Sequence, residues 1–399
     1  MNRRELLRSL GVVGALGYSD FALSDEYRYS REKYGYPNYR NWGGQSRPWE
    51  WQDSLYSVNN YSGGYEKSFP FNVIKNLRNK NEIEIDLIDD IKYGYTDSIK
   101  DYFYKKPATS LLIVKNNKLI YEKYGFDRNE KMRLTSMSMA KSVTGLLLGI
   151  CIDKGFIESY DDEARKYLPQ LSKSYHGSIT LRNLSNMSSG ATISHDKDNG
   201  FIYPDAFFSR SSNISKVVSL WNGSSEKQGT RFNYNELCPL TIGMVIREVT
   251  KMKLSEFATE HLWSKIGATS DATWLTDSTK SEMNCIGFAA TARDWCKLGL
   301  IFSNNGKLNG NQIVSEGWIK EMTSWGEKDR QVTFGKAHGG GYKCFLWHLR
   351  SDGTLPCFVG YGGQKVMIDM KTNTVLVHTA VDEGIDYERD LKMMIAWLG

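Results

Sequence analysis

The sequence contains a serine and a lysine three positions apart at the start of an apolar helical pattern. Ser138 and Lys141 open the stretch Ser138–Asp153, in which apolar residues recur with helical spacing. Residues at positions i and i+3 lie on the same face of a helix. Burial lowers the pKa of a lysine, and its neutral amine can then accept a serine proton without any histidine. The pattern therefore predicts a serine nucleophile, Ser138, with Lys141 as its base.

The S-x-x-K tetrad by itself is weak, because it recurs in this chain. Only Ser138 begins a long apolar helix, and a surface lysine beside a helix-capping serine is the alternative interpretation of the same pattern. The other copies are Ser30/Lys33, Ser194/Lys197 and Ser224/Lys227.

Other catalytic and metal-binding motifs are missing from the sequence. It has no GxSxG elbow, P-loop, GxGxxG or HExxH motif. The six histidines have no metal-ligand spacing, and the six cysteines form no CxxC pair. We therefore predict no metal and no cofactor, and we interpret the cysteines as buried small hydrophobic residues.

Strand patterns occur near both ends of the main body and helical patterns between them. This order predicts an α+β architecture: an antiparallel sheet flanked by helices, with an inserted mainly helical domain at about residues 156–280. The predicted strands are Ser110–Val114, Leu119–Tyr124, Lys365–Met370 and Thr374–Thr379, and a final helix is predicted at Tyr387–Leu398.

Several segments, in the same order, resemble the serine β-lactamase-related, penicillin-recognising hydrolases. The likeness is greatest to class C β-lactamases, β-lactamase-fold esterases and 6-aminohexanoate-dimer hydrolase, and it covers residues 105–399. It implies a β-lactamase/transpeptidase-like fold. The segments are Ser136–Ser142, Tyr167–Leu171, Ile179–Leu184, Met187–Gly190, Gly229–Tyr234, Gly287–Asp294, Gly306–Gln312 and Gly360–Gln364.

The resemblance also implies roles for particular residues. Ser138 would be the acylated nucleophile and Lys141 its proton acceptor. Tyr234 would be the phenol that shares this proton and passes it to the leaving group. A competing second motif, Ser211-Ser212-Asn213, resembles the S-x-N of other branches of the family and ranks below Tyr234.

Two departures from the family pattern concern the substrate side of the site. The family has Y-x-N where this chain has Tyr234-Asn235-Glu236, so Glu236 replaces an amide that usually touches substrate. Its carboxylate either pairs with Lys141 or faces solvent.

The third motif, K-T-G in the lactamases, has no obvious copy. Counting back from the turn Lys371-Thr372-Asn373 places it at Phe358-Val359-Gly360, with Tyr361-Gly362-Gly363 as the alternative register. In the first register the N–H groups of Tyr361 and Ser138 would hold the oxyanion. Either register puts an aromatic residue where lactamases hold a cation, which favours a neutral ester or amide substrate.

The first hundred residues give separate predictions. Residues 1–24 resemble a twin-arginine export signal, which predicts a periplasmic protein; a short cytoplasmic helix is the alternative. Residues 25–104 are interpreted as an aromatic-rich arm with a helix over 71–104. The arm packs on the main body or, alternatively, forms a lid over the site.

Composition excludes several classes of function. The chain has 399 residues and a net charge of only +5, too balanced to indicate a nucleic-acid partner. No apolar run is long enough to span a membrane. The sequence thus predicts a serine hydrolase acting on a small ester or amide. A penicillin-binding or D-alanyl-peptide-processing protein and a catalytically silent binding protein remain as alternatives, and the oligomeric state stays open.

Overall fold

The computed structural model describes residues 71–75, 99, 102, 108–125, 128–193, 206, 211–326, 329, 340–380 and 387–398. The predicted export signal (1–24) lies outside the described residues, as does the aromatic part of the arm (27–70). These predictions and the domain boundaries stay predictions.

Strands come from both ends of the described chain. In chain order they are β1 (Phe71–Ile74), β2 (Ala108–Lys115), β3 (Lys118–Tyr124), β4 (Arg133–Thr135), β5 (Ala272–Leu275), β6 (Phe288–Thr291), β7 (Lys307–Leu308), β8 (Asn311–Gln312), β9 (Gly341–Lys343), β10 (Leu346–His348), β11 (Pro356–Gly360), β12 (Gln364–Asp369) and β13 (Thr374–Ala380).

Helices fill the middle of the described chain and cover the sheets. The α-helices are α1 (Met139–Asp153), α2 (Leu181–Ser185), α3 (Ile214–Leu220), α4 (Leu237–Thr250), α5 (Leu254–Ala258), α6 (Ala292–Ser303), α7 (Glu316–Thr323) and α8 (Tyr387–Leu398). Short 3₁₀ helices lie at Ala164–Lys166, Pro169–Leu171 and His176–Ser178, and a π-helical turn follows α5 at Thr259–Trp263.

The main sheet joins the two ends of the described chain. Its order is β3-β2-β13-β12-β11-β10-β9, with every pair antiparallel. The β2–β3 turn consists of Asn116 and Asn117, both at positive φ (49° and 63°), the geometry that a two-residue hairpin requires. Strand β2 then pairs with β13, for example Val114 with Val375. The predicted α+β fold with an antiparallel sheet is confirmed.

A second, four-stranded sheet has the order β1-β5-β6-β4. The predicted helix over 71–104 is wrong at its start, because Phe71–Ile74 is an edge strand paired with β5. Val73 is 39% exposed while Ile74 is fully buried, which is the alternation of a strand and not of a helix. Ile99 and Tyr102 are helical, and both are buried.

Helix α1 runs through the centre of the molecule. It packs against α4 on one side and against β10, β11 and β12 on the other. The helix is therefore buried on nearly all sides and not on one face as its sequence pattern suggests. Small residues allow this approach, since a Cβ added at Gly145 would lie 2.7 Å from the Cys344 carbonyl oxygen.

Three buried histidines should lower the unfolding free energy of the protein in mild acid. Burial lowers the pKa of His176 to about 4 and that of His348 and of His378 to about 3. Unfolded histidines have a pKa near 6.5, so below that pH the unfolded chain binds more protons than the folded one. Unfolding free energy should therefore fall by about 4 kcal/mol between pH 7.5 and pH 5.5. Each of the three groups contributes about 1.4 kcal/mol per pH unit below pH 6.5, and this interval includes one such unit.

Urea unfolding at the two pH values measures this effect. His348→Asn should reduce the pH-dependent loss by about one third, whatever the stability of the variant at pH 7.5. Equal unfolding midpoints for the wild type at both pH values would contradict the assignment of neutral buried histidines.

Candidate active site

Ser138 stands at a tight turn between β4 and α1. The preceding residue, Met137, has a positive φ of 44°, and the Met139 amide donates to the Ser136 carbonyl at 3.1 Å. Every residue from Leu134 to Cys151 is buried except Ser138, which is partly exposed. Its hydroxyl makes no capping bond to the helix. The turn thus presents one accessible hydroxyl from an otherwise buried segment.

Lys141 lies one turn later, with its side chain only 1% exposed. Its Nζ donates to Ser138 Oγ at 3.1 Å and to the Cys285 carbonyl oxygen at 3.0 Å. It also forms an ion pair with Glu236 Oε2 at 2.7 Å. Lys141 Nζ therefore has two hydrogen-bond acceptors and one ion-pair partner within 3.1 Å. The open question about Glu236 is answered: its carboxylate pairs with Lys141.

The electrostatics of this pair depend on burial and on the carboxylate. Burial lowers the pKa of Lys141, but the adjacent Glu236 carboxylate, with Tyr234 and Cys285, outweighs it and raises the pKa above its usual range. Lys141 is consequently an ammonium in the resting site. A buried ion pair needs well-placed partners to offset its loss of hydration.

Tyr234 and Glu236 are placed by the chain's entry into α4. Asn235 between them caps this helix: its Oδ1 accepts from the Cys238 amide at 3.1 Å. Lys141 Nζ lies 4.9 Å from the centre of the Tyr234 ring. Burial raises the pKa of Tyr234 and Lys141 opposes that rise, so the phenol is neutral at pH 7. Ser138, Lys141, Tyr234 and Glu236 thus come together in one cluster.

The aromatic residues that pack behind Tyr234 were not predicted from the sequence. Trp347 stacks on the Tyr234 ring at 5.8 Å between centroids, and Tyr342, its cross-strand partner, packs edge-on at 6.0 Å. The β9–β10 turn that carries them consists of Cys344 and Phe345, both at positive φ. No glycine or asparagine signals this turn in the sequence. Only the alternating aromatic residues on either side of it were a clue.

Tertiary hydrogen bonds stabilise the positive-φ conformation of this turn, which contains no glycine. The Phe345 amide donates to the Ser185 carbonyl at 2.9 Å, and Ser142 Oγ donates to the Phe345 carbonyl at 2.8 Å. The Cys344 amide donates to Asn186 Oδ1 at 3.0 Å. These bonds to α1 and to the end of α2 stabilise a conformation that is costly for ordinary residues.

Strand β11 ends directly against the turn Ser136–Ser138, which carries the predicted nucleophile and is called the nucleophile turn below. A Cβ added at Gly360 would lie 2.1 Å from the Ser136 carbonyl oxygen and 3.1 Å from the Met137 Cβ. This close approach favours the register Phe358-Val359-Gly360 for the third motif. Tyr361 follows and is partly exposed. The use of its N–H to hold an oxyanion stays a prediction.

Side chains of β12 and β13 fix the loop that follows Gly360 by hydrogen bonds to its carbonyl groups. Gln364 Nε2 donates to the carbonyls of Tyr361, Gly362 and Ala380 at 3.1, 2.7 and 2.7 Å. His378 Nδ1 donates to the Gly363 carbonyl at 2.6 Å, so its Nε2 is the acceptor for the Tyr102 hydroxyl at 2.9 Å. Tyr102, which the sequence analysis assigned to the arm, thus helps to fix the loop after Gly360 through its hydrogen bond to His378.

The competing motifs have other roles in the structure. Asn213 caps α3, with its Oδ1 accepting from the Lys216 amide at 2.9 Å, and Ser212 Oγ accepts from the Ser278 amide at 3.0 Å. Ser224 and Lys227 are exposed. The copies at Ser30/Lys33 and Ser194/Lys197 lie outside the described residues.

The cysteines are all described, reduced and buried, as the sequence analysis expected. Within the described ranges, no three histidine, cysteine or acidic side chains come together as a metal site. Nor does any helix in this part of the chain have the length and apolarity needed to cross a membrane.

The fold is of the β-lactamase/transpeptidase type. The model of the beta-lactamase family matches residues 99–388. The chain therefore belongs to the beta-lactamase family of hydrolases.

Individual relatives agree with this assignment. The chain is 23% identical to the 6-aminohexanoate-dimer hydrolase of Paenarthrobacter ureafaciens over 285 residues, covering 67% of this chain and 71% of that protein. Its fold is similar to a candidate 6-aminohexanoate-dimer hydrolase from Bacillus anthracis (TM-score 0.70, 23% identity, 82% and 89% of the two chains). It is also similar to a family VIII carboxylesterase (TM-score 0.57, 15% identity, 77% and 98%).

The contact of Gly360 with the nucleophile turn predicts a severe effect of Gly360→Ala. The added methyl group has no space beside the Ser136 carbonyl, so β11 must move away from Ser138. We expect a loss of about 1–3 kcal/mol in unfolding free energy and about 10²-fold in hydrolytic rate. Thermal melting and ester hydrolysis measure the two effects.

Gly317→Ala is the matched control, because a Cβ there meets nothing nearer than 3.8 Å, at Ser315 Oγ. This variant should melt no lower than the wild type and keep its full rate. A Gly360→Ala protein that behaved in the same way would show that β11 does not constrain the nucleophile.

Proposed function

We propose that this protein is a serine hydrolase that cleaves an ester or amide bond through an acyl-enzyme on Ser138. The observation that carries the proposal is the 3.1 Å contact between a partly exposed Ser138 Oγ and the buried Lys141 Nζ. A lysine amine within hydrogen-bond distance of a serine is a known means of activating the hydroxyl. The family assignment supports the same chemistry.

Acylation would begin with attack of Ser138 Oγ on the substrate carbonyl carbon. As the new O–C bond forms, the Oγ–H bond breaks and its proton moves to Lys141 Nζ. The Lys141 ammonium must first give one of its own protons to a neighbouring base, so that the nitrogen has a free lone pair. The carbonyl electron pair moves onto oxygen, where the N–H groups of Ser138 and Tyr361 would stabilise the negative charge. The Ser138 amide lies at the start of α1, where the helix dipole also favours an anion.

Collapse of this intermediate would expel the alcohol or amine. Tyr234 would supply its proton and recover one from Lys141, because its neutral phenol lies beside the ammonium. Water would then attack the acyl-enzyme by the same steps in reverse order. Ser138 is partly exposed, as a group that meets a substrate must be, whereas Lys141 and the hydroxyl oxygen of Tyr234 are buried.

The aromatic groups favour a neutral substrate. Tyr234 and Trp347 form a stacked pair, and Tyr361 follows the strand that lactamases use to carry a cation for the substrate carboxylate. An uncharged acyl group therefore fits this site better than a β-lactam carboxylate does.

Substitutions in the cluster should abolish ester hydrolysis. With a series of p-nitrophenyl esters, Ser138→Ala should lower kcat/KM by about 10³-fold or more, because the nucleophile is removed. Lys141→Met and Tyr234→Phe should each lower it by about 10²–10⁴-fold, because general acid–base catalysis is lost. Release of p-nitrophenolate measures the rates.

Ser224→Ala is the control, since it alters the exposed copy of the same tetrad and should keep the wild-type rate. If the wild type and Ser138→Ala share one background rate, the protein does not hydrolyse these esters through Ser138. Stable labelling of Ser138 by a fluorescent penicillin, without ester turnover, would favour a penicillin-binding protein instead.

A further inference from the structure

We propose that Glu236 is the proton acceptor for Lys141 and so allows a buried ammonium to act as the serine-activating base. The inference rests on the proposed hydrolase function and assigns a positioning and proton-holding role within the same site. The family pattern that this segment resembles is Y-x-N, with an amide at the position of Glu236, so the proposed role belongs to this chain and not to that pattern.

The geometry around Lys141 Nζ leaves one destination for a proton. Its neighbours are Ser138 Oγ at 3.1 Å, the Cys285 carbonyl at 3.0 Å, Glu236 Oε2 at 2.7 Å and the Tyr234 hydroxyl. The Tyr234 phenol is neutral, and its oxygen is a much weaker proton acceptor than a carboxylate. The serine hydroxyl has to give up a proton, and a peptide carbonyl does not accept one at neutral pH. The carboxylate is the remaining base, and it lies at the shortest distance.

Burial makes the exchange between Lys141 and Glu236 feasible. Both side chains are only 1% exposed. In water the pKa values of lysine and glutamate differ by about six, which strongly favours the ion pair. Removal of water disfavours both charged forms, so the ion pair and the neutral pair approach each other in free energy.

The proton transfers balance without any outside base. First, Lys141 gives one proton to Glu236, which leaves a neutral amine and a neutral carboxylic acid. Rotation about the Cε–Nζ bond then turns the nitrogen lone pair towards Ser138. The amine takes the serine proton as the O–C bond forms, and later returns a proton to the leaving group through Tyr234. Glu236 finally gives its proton back to Lys141, and the resting ion pair is restored.

This arrangement has a consequence for the pH dependence of acylation. The base forms by internal exchange, with no proton lost to solvent, so the acylation rate should be flat between pH 6 and pH 9. The other titratable groups around the pair stay neutral over this range. Burial raises the pKa of Tyr234, Cys238, Cys285 and Tyr342 above their usual values.

The test compares the wild type with Glu236→Gln by the burst of p-nitrophenolate in a stopped-flow instrument. The amide preserves shape and one hydrogen bond but cannot take the proton, so Lys141 must lose it to solvent. The burst rate of this variant should rise about tenfold per pH unit on the acidic side. We expect it to be at least tenfold below the wild type at pH 6 and close to it at pH 9.5.

Glu122→Gln is the matched control. Glu122, on β3, is also a mostly buried carboxylate paired with a cation, since its Oε2 lies 2.6 Å from the Arg293 guanidinium of α6. Its burst should stay as flat with pH as that of the wild type. The wild-type profile provides a test that needs no variant, since a rising limb between pH 6 and pH 9 would overturn the proposal.

Each other outcome has a definite meaning. A Glu236→Gln burst that is reduced equally at all pH values indicates a purely structural carboxylate, and one that is faster than the wild type indicates an inhibitory carboxylate; both overturn the role of Glu236 alone. If the wild type releases no p-nitrophenolate in a way that depends on Ser138, in the burst or in the steady state, the hydrolase function itself fails.

Discussion

The buried ion pair between Lys141 and Glu236 is the interaction on which the rest of the site depends. Its two charges lie 2.7 Å apart, almost without exposure to solvent, at the point where α1 and α4 pack together. Removing one partner would leave an uncompensated charge in the interior, which is strongly destabilising. The pair therefore holds the nucleophile helix and the helix that follows Tyr234 in one fixed arrangement.

The remaining elements bring backbone and aromatic groups to this pair. Strand β11 stops at Gly360 against the nucleophile turn, and the β9–β10 hairpin packs its aromatic residues behind Tyr234. Strain is located at these points: Met137 and the hairpin tip both have positive φ. Such strain persists only where surrounding packing and hydrogen bonds determine the conformation, as they do on both sides of α1.

Local patterns in the sequence predicted the parts of the structure that are local. The helix after Ser138, the Asn116-Asn117 hairpin and the last two strands follow from periodicity and turn residues, and the structure confirms them. The sequence left two alternatives for Glu236, Lys141 or solvent, and could not decide between them, because the direction of this side chain depends on how α4 packs against α1. The β9–β10 hairpin was not predicted, because its turn contains no glycine or asparagine and is stabilised by tertiary hydrogen bonds. Strand β1 was mistaken for a helix because four residues carry too little periodicity to decide.

The central claim is that Ser138 carries the acyl group during turnover. Rapid acid quenching of the enzyme with a p-nitrophenyl ester, followed by digestion and mass spectrometry, tests it most directly. The account predicts that the peptide containing Ser138 gains the mass of the acyl group within the burst, and that the Ser138→Ala protein gains none there. A burst accompanied by acylation of another residue, or by no adduct at all, would contradict the account.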